Sequence, residues 1–359
     1  MKILLFLSAS QLRAIVLLLL SSSLLTIPCL AQSQENHDHD DMKHEPHSQH
    51  QQNNIQPEHI HHVHEAGSWM FEYRFMRMKM EELLAGDNDV SAADVAKAGS
   101  PYTNSAGGNN MMAPTSMRMD MHMLMGMYSQ SDELSWMLML NYVDNKMDMI
   151  TMGGARPSME SSGAGDTRIG AMYKLQDKDR SQFLANMELS LPTGSIKETN
   201  SQGMLPYAMQ TGSGTYDLIP SITYRSNQEE WGWGIQGSYT HRLGKNSQNY
   251  ALGNRTDGQV WIKLNPRDNT SVTGRIAYSD WQNINGDSDA ITIMQRNMSP
   301  TFDASNSGGS RWDASIGISH MFDNGHMLGV AYATPIKQKL NGLQMKVKHI
   351  YSISWQYMF

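Results

Sequence analysis

The sequence predicts an all-β fold: a transmembrane antiparallel β-barrel of about twelve strands with a disordered N-terminal tail. Three observations predict it. Hydrophobic residues alternate with a period of two from Gly67 onward. Charged residues make up only 18% of the chain and glycine contributes 29 positions, the composition of many short strands and turns. After residue 30 no continuous apolar run approaches the roughly 20 residues that a membrane helix needs.

Residues 1–31 have the pattern of a secretory signal peptide. Lys2 and Arg13 supply positive charge, 14–25 an apolar core, and Cys29-Leu30-Ala31 a small-x-small cleavage site before Gln32. The single cysteine lies in this leader, so the mature chain forms no disulfide. Residues 32–66 then hold nine of the fourteen histidines: His37, His39, His44, His47, His50, His59, His61, His62 and His64. Seven acidic residues and one lysine give this stretch −6, against −3 for 67–359, and it has too little apolar material for a core. Neutral imidazoles flanked by carboxylates bind Cu(II), Zn(II) and Ni(II), so the tail is expected to bind copper or zinc. The plain alternative is a solvated spacer.

The barrel is expected over 67–359, with strands near 68–80, 116–128, 133–144, 166–176, 181–191, 213–225, 231–243, 254–265, 269–281, 311–322, 326–337 and 345–359. Long connections (81–115, 145–165, 192–212, 282–310) alternate with tight turns, as extracellular loops and periplasmic turns do in outer-membrane barrels. The last segment places Val347, His349, Tyr351, Ile353, Trp355, Tyr357 and Phe359 on one face, which predicts aromatics toward lipid and recognition of Phe359 by the barrel-assembly machinery. Both termini fall on the periplasmic side, with the histidine tail beside them.

Register assigns the two faces. Phe71, Tyr73, Phe75, Trp136, Leu138, Leu140, Ile169, Tyr173, Ile222, Trp233, Ile235, Val260, Ile262, Ile276, Ile316, Ile318 and Val330 are expected outward. The lumen is expected to be lined by Glu72, Arg74, Arg168, Lys174, Glu188, Asp217, Arg242, Asp257, Lys263, Arg275 and Asp313, with Lys346 and Lys348 beside them. Both signs there suggest ion pairs around water, either in a polar pore or in a filled barrel.

Eighteen of the thirty methionines fall between Met70 and Met159. Met117, Met119, Met121, Met123, Met125 and Met127 share one strand face opposite Arg118, Asp120 and His122. Since charge prefers the lumen, these six are expected toward lipid. Met137 and Met139, which alternate with Trp136, Leu138 and Leu140, are expected inward, as are Met76, Met78 and Met80. Thioethers are soft ligands for Cu(I), which makes Met137 and Met139 candidate metal ligands.

No G-x-S-x-G elbow, Walker loop or H-E-x-x-H motif is present, so no enzyme is expected and no cofactor is required. The acidic balance and membrane destination exclude nucleic acid. Leu191-Pro192-Thr193-Gly194-Ser195, followed by Gln210-Thr211-Gly212-Ser213-Gly214-Thr215-Tyr216-Asp217-Leu218, resembles the outer-membrane barrel family labelled "meta-pathway of phenol degradation". Residues 69–78 and 163–175 resemble it as well. The resemblance implies a transporter-like barrel and passage of small molecules. The histidine and methionine content favours a metal-associated branch.

The expectation is therefore an outer-membrane channel, in contact with outer-membrane lipid, that handles copper or another soft or transition metal. The alternatives are a channel for aromatic or other small organic solutes and a barrel-anchored periplasmic metal buffer without conductance.

Overall fold

The computed structural model describes residues 65–359 apart from 105 and 179. The expected signal peptide and nearly all of the expected histidine tail, including its nine histidines, lie outside the described residues. The chain forms β1 (Trp69–Gly86), β2 (Asn88–Val90), β3 (Met112–Ser129), β4 (Leu134–Thr151), β5 (Ser158–Ala164), β6 (Thr167–Lys178) and β7 (Ser181–Leu191). After two short strands, β8 (Thr199–Asn200) and β9 (Gly203–Met204), come β10 (Tyr216–Asn227), β11 (Trp231–Leu243), β12 (Arg255–Arg267), β13 (Thr270–Trp281), β14 (Gly309–Met321) and β15 (His326–Met358).

The sheet runs β15-β14-β13-β12-β11-β10-β7-β6-β4-β3-β1 and closes through a β15–β1 pairing, every neighbour antiparallel. Eleven elements cannot alternate direction around a closed ring, so one must reverse within itself. β15 does: its first part pairs β14 from Met327 to Leu340, and its second pairs β1 from Leu340 to Met358. The reversal falls at Gly342, whose φ of 67° suits glycine. The barrel thus has twelve antiparallel passes, with β5 and β6 forming one pass. Closure leaves no sheet edge facing hydrocarbon. At the seam Trp69 N–H donates to the Phe359 carbonyl (2.8 Å) and Phe359 N–H to that of Trp69 (3.1 Å).

Strand length explains where the face assignment succeeds and where it fails. β10 to β14 have 12 or 13 residues, but β1, β3 and β4 have 18 each, longer than the 9–11 or so that a bilayer requires. On these long strands the outward face changes character along its length. Trp69, Phe71, Leu124, Trp136, Leu138, Leu140 and Tyr142 are exposed and form an apolar belt. Toward the long-loop end the same face carries Arg77, paired with Asp120 at 2.7 Å, Arg118 with Asp144 at 3.5 Å, and Lys146 with Glu160 at 2.6 Å. Those charges stand beyond the belt, where the outer surface meets water.

Met117–Met127 therefore face inward, contrary to the sequence expectation. Met117, Met119, Met121, Met125 and Met127 are all buried, while Leu124 on the opposite face is 56% exposed. Arg118 and Asp120 had suggested a lumenal face, but they sit on the outside of a strand taller than the membrane. A second correction concerns the last strand. A register shift between Lys79 and Met80 against His349 and Val347 inverts the alternation, burying Val347 and turning Lys346 and Lys348 toward Asp89 and Glu82, each at 2.6 Å. Tyr173, expected to be exposed to lipid, is buried beside a register shift in β6. Parts of the expected loops 81–115 and 145–165 are strand, because β1, β4 and β5 continue into the raised wall.

The long loops fold into a cap at their end of the barrel. Met204, Tyr207, Tyr250, Leu252, Ile284, Ile291 and Phe302 form its small core. A helix at Ile293–Met298, opened by a Thr292/Gln295 capping box, is tied to the 192–215 loop by Gln295 Nε2 donating to the Met204 carbonyl at 2.9 Å.

Candidate functional site: a lumen with two unlike walls

One wall of the lumen is charged. The predicted residues Glu72, Arg74, Arg168, Lys174, Glu188, Asp217, Arg242, Asp257, Lys263, Arg275 and Asp313 all occupy inward-facing register positions. Most are paired: Glu72 with Arg74 at 2.5 Å, Arg168 with Glu188 at 3.8 Å, and Asp217 with Arg242. The structure adds Arg225, Arg255 and Arg311 to this face. Arg255 meets Asp257 at 2.7 Å and Arg311 meets Asp313 at 2.8 Å. Strict alternation from Asp257, Asp313 and Thr223 would have found all three. With them the strands carry nine inward basic residues against five acidic ones. Lys174 reaches the short-turn end and binds Asp177 at 2.8 Å.

The other side, formed by β1, β3 and β4, carries most of the inward methionines, interrupted on β1 by the Glu72–Arg74 pair and on β4 by Asn141, Val143 and Asn145. Met137 and Met139 point inward and are buried, alongside six buried methionines of β3, Met112 among them. Directly opposed residues form cross-strand rows. One row runs Met80–Met117–Met147–Met159 across β1, β3, β4 and β5. Another runs Met358–Met70–Met127–Met137 across β15, β1, β3 and β4. Neighbouring strands lie about 4.8 Å apart, so each row places four thioethers side by side.

At the long-loop end a cavity of about 710 Å³ is bordered by Trp281, Asn283, Gly309, Lys339 and Asn341. Between the walls lies a smaller one of about 50 Å³, bordered by Arg168, Glu188, Asn186, Gln236 and Asp257. That volume admits a few waters and no larger solute.

At the long-loop end the lumen is covered by the 192–215 loop, which a knot of three segments holds inward. Asp166, 1% exposed, interrupts the β5–β6 pass. Its carboxylate accepts from Gly194 N–H (3.0 Å), Ser213 N–H (2.8 Å) and the Ser213 hydroxyl (2.6 Å). Thr211 and Gly212 N–H both donate to the Ser195 carbonyl, at 3.0 and 2.9 Å. The backbones of Gly194 and Gly212 touch so closely that a Cβ on Gly194 would lie 2.5 Å from Gly212 Cα. The Leu-Pro-Thr-Gly, Thr-Gly-Ser-Gly and Gly-Ala-Gly-Asp segments that carried the sequence resemblance thus meet in one place. They brace the loop, and Met209 from it packs, fully buried, among the methionines of the upper wall.

The described histidines lie on the outer surface. His122 bonds Tyr73 at 2.8 Å, His349 bonds Tyr332 at 2.7 Å and His320 bonds Thr270 at 2.9 Å, in an aromatic girdle. His241 stacks against Tyr239 at the loop end of β11, opposite the end at which His320 lies. Among the described residues no three His, Cys, Asp or Glu side chains come together as metal ligands.

These features define a closed antiparallel β-barrel with an outward apolar belt, the architecture of outer-membrane barrels. A solved structure agrees on the fold. An outer membrane channel from Pseudomonas putida F1 aligns over 86% of this chain and 100% of its own, with a TM-score of 0.55 and 12% identity. A monoaromatic hydrocarbon channel (TodX) aligns over 82% of this chain and 91% of its own, with a TM-score of 0.46 and 9% identity. The KdgM porin aligns over 80% and 99%, with a TM-score of 0.38 and 9% identity. No protein-family model and no curated protein matches the sequence.

Proposed function

We propose that this protein is an outer-membrane channel for copper or another soft or transition metal, opened when the 192–215 loop moves off the lumen. The observation that carries this reading is the methionine wall, which runs from one end of the barrel to the other. Leucine would fill the same volume and lose less side-chain entropy on burial, about 1 kcal/mol less per position. A wall of unbranched thioethers is therefore a costly way to pack a barrel unless the sulfur is used. In this reading the nine tail histidines hang at the periplasmic mouth and gather Cu(II) or Zn(II), and Phe359 guides the last strand to the assembly machinery.

The test pairs reconstitution with genetics. The purified protein should conduct in planar bilayers, and a strain lacking it should change its copper or silver tolerance. A protein that binds metal but never conducts would instead be a barrel-anchored buffer.

A second reading has its own support. Nine inward basic residues against five acidic ones favour anions, and the methionine wall would accept an apolar or aromatic body by sulfur–ring contact. Small organic acids fit that pairing. A reversal potential of anion-selective sign, with unchanged metal tolerance of the deletion strain, would favour this reading over the first.

A further inference from the structure

We infer that the two methionine rows are separate binding stations for a monovalent soft cation, Cu(I) or Ag(I), one at each end of the lumen wall. The inference deepens the channel reading and rests on it only in taking the lumen to be reachable from water. The upper station is Met80, Met117, Met147 and Met159, the lower one Met358, Met70, Met127 and Met137.

Four features distinguish these rows from ordinary core. Each spans four strands with a methionine at every position, bordered in the upper row by Val347 beside Met80. The row members other than Met358 are all nearly excluded from solvent, so a bound ion would exchange its water for sulfur. The inward-folded loop sets Met209 against the upper row, with the Ser161 hydroxyl, two residues beyond Met159, holding the Met209 carbonyl at 2.5 Å. Lastly, Gln356 Nε2 donates to Met70 Sδ in the lower row, a contact that an incoming cation would displace to take the sulfur lone pair.

Neutral thioethers select the ion. They are soft, carry no charge and do not titrate in the biological range, so they suit a soft monovalent cation and are poor ligands for Zn(II) or Ca(II). Ten residues of β1 separate Met70 from Met80, roughly 33 Å at about 3.3 Å per residue, comparable to the hydrocarbon thickness. Met76, Met78, Met119, Met121, Met123 and Met125 lie between the stations and would give an ion intermediate soft contacts.

The experiment is Ag(I) binding to the purified full-length protein, with silver nitrate in chloride-free buffer at about pH 5. Imidazoles, with a reference pKa near 6.5, are mostly protonated there and the tail is silenced, while thioethers are unaffected. The expected result is about two bound Ag(I) per chain. Met80→Leu, Met117→Leu, Met147→Leu and Met159→Leu combined should remove one ion. Met70→Leu, Met127→Leu, Met137→Leu and Met358→Leu combined should remove the other. Leucine conserves volume, so folding should survive. X-ray absorption of the silver-loaded wild type needs no variant and should show a sulfur-only shell. Binding unchanged in both variants, or a shell of nitrogen or oxygen, overturns the inference. Conductance with lost binding would leave the channel reading standing, whereas binding without conductance would leave the stations standing.

Discussion

Asp166→Ala should open the channel. The buried carboxylate accepts three hydrogen bonds, from Gly194 N–H, Ser213 N–H and the Ser213 hydroxyl, that hold the 192–215 loop over the lumen. Hydrogen bonds to a charged partner contribute about 1.5–3 kcal/mol each, so three give roughly 4.5 kcal/mol at the lower bound. Desolvating the carboxylate offsets part of that, leaving about 2–3 kcal/mol favouring the closed loop. Each 1.4 kcal/mol is tenfold, so the ratio of open to closed should rise about 30- to 150-fold. Asp166→Asn, which retains one acceptor oxygen, should fall between wild type and alanine. The assay is single-channel recording in planar bilayers, read as open probability. Heat-modifiable migration on gels would show that each variant is still a folded barrel. A folded Asp166→Ala protein with wild-type open probability would refute both the knot and the loop as the closing element.

Three other outcomes test separate parts of the structure. Leu124→Arg places a charge in the outward belt and should cost about 2–4 kcal/mol, lowering folded yield in lipid, whereas the adjacent inward Met125→Leu should leave it unchanged. Equal yields would return the β3 methionines to the lipid face. Gly194→Ala drives a Cβ to 2.5 Å from Gly212 Cα, so the two backbones must separate; melting temperature should drop and open probability rise together. Burial pushes the Tyr207 phenol up to about 12, against the weaker opposing effect of the hydrogen bond from Ser288 N–H. The neutral form is the one the cap favours, so its contribution is present below about pH 10 and is lost as pH rises toward 12. Burial raises the neighbouring Tyr250 phenol as well, so absorbance at alkaline pH should show a late-ionising step that includes both tyrosines, and Tyr207→Phe should reduce it by one tyrosine.

Much of this molecule is legible in its sequence, and the misreadings have physical causes. Alternation alone located twelve passes, because a strand with one face in lipid and one in the lumen must alternate. It failed on Met117–Met127 because β3 rises past the bilayer, so charge on one face no longer marks the lumen. It failed at Val347 because a register shift between Lys79 and Met80 is set by cross-strand geometry that no local pattern records. The candidate site divides in the same way. Lumenal charges such as Arg168 and Asp217 follow from strand parity. The Asp166 knot does not, because its partners lie 28 and 47 residues away and meet only once the loop has folded inward.

The central claim is that the methionine wall is a path for a soft metal ion. Proteoliposomes holding a silver-responsive dye, prepared with Asp166→Ala protein to keep the loop open, test it most directly. Ag(I) entry should be saturable and should fall at least tenfold when the upper and lower rows are changed to leucine, while potassium conductance stays the same. Equal Ag(I) entry with and without the eight thioethers would contradict the account.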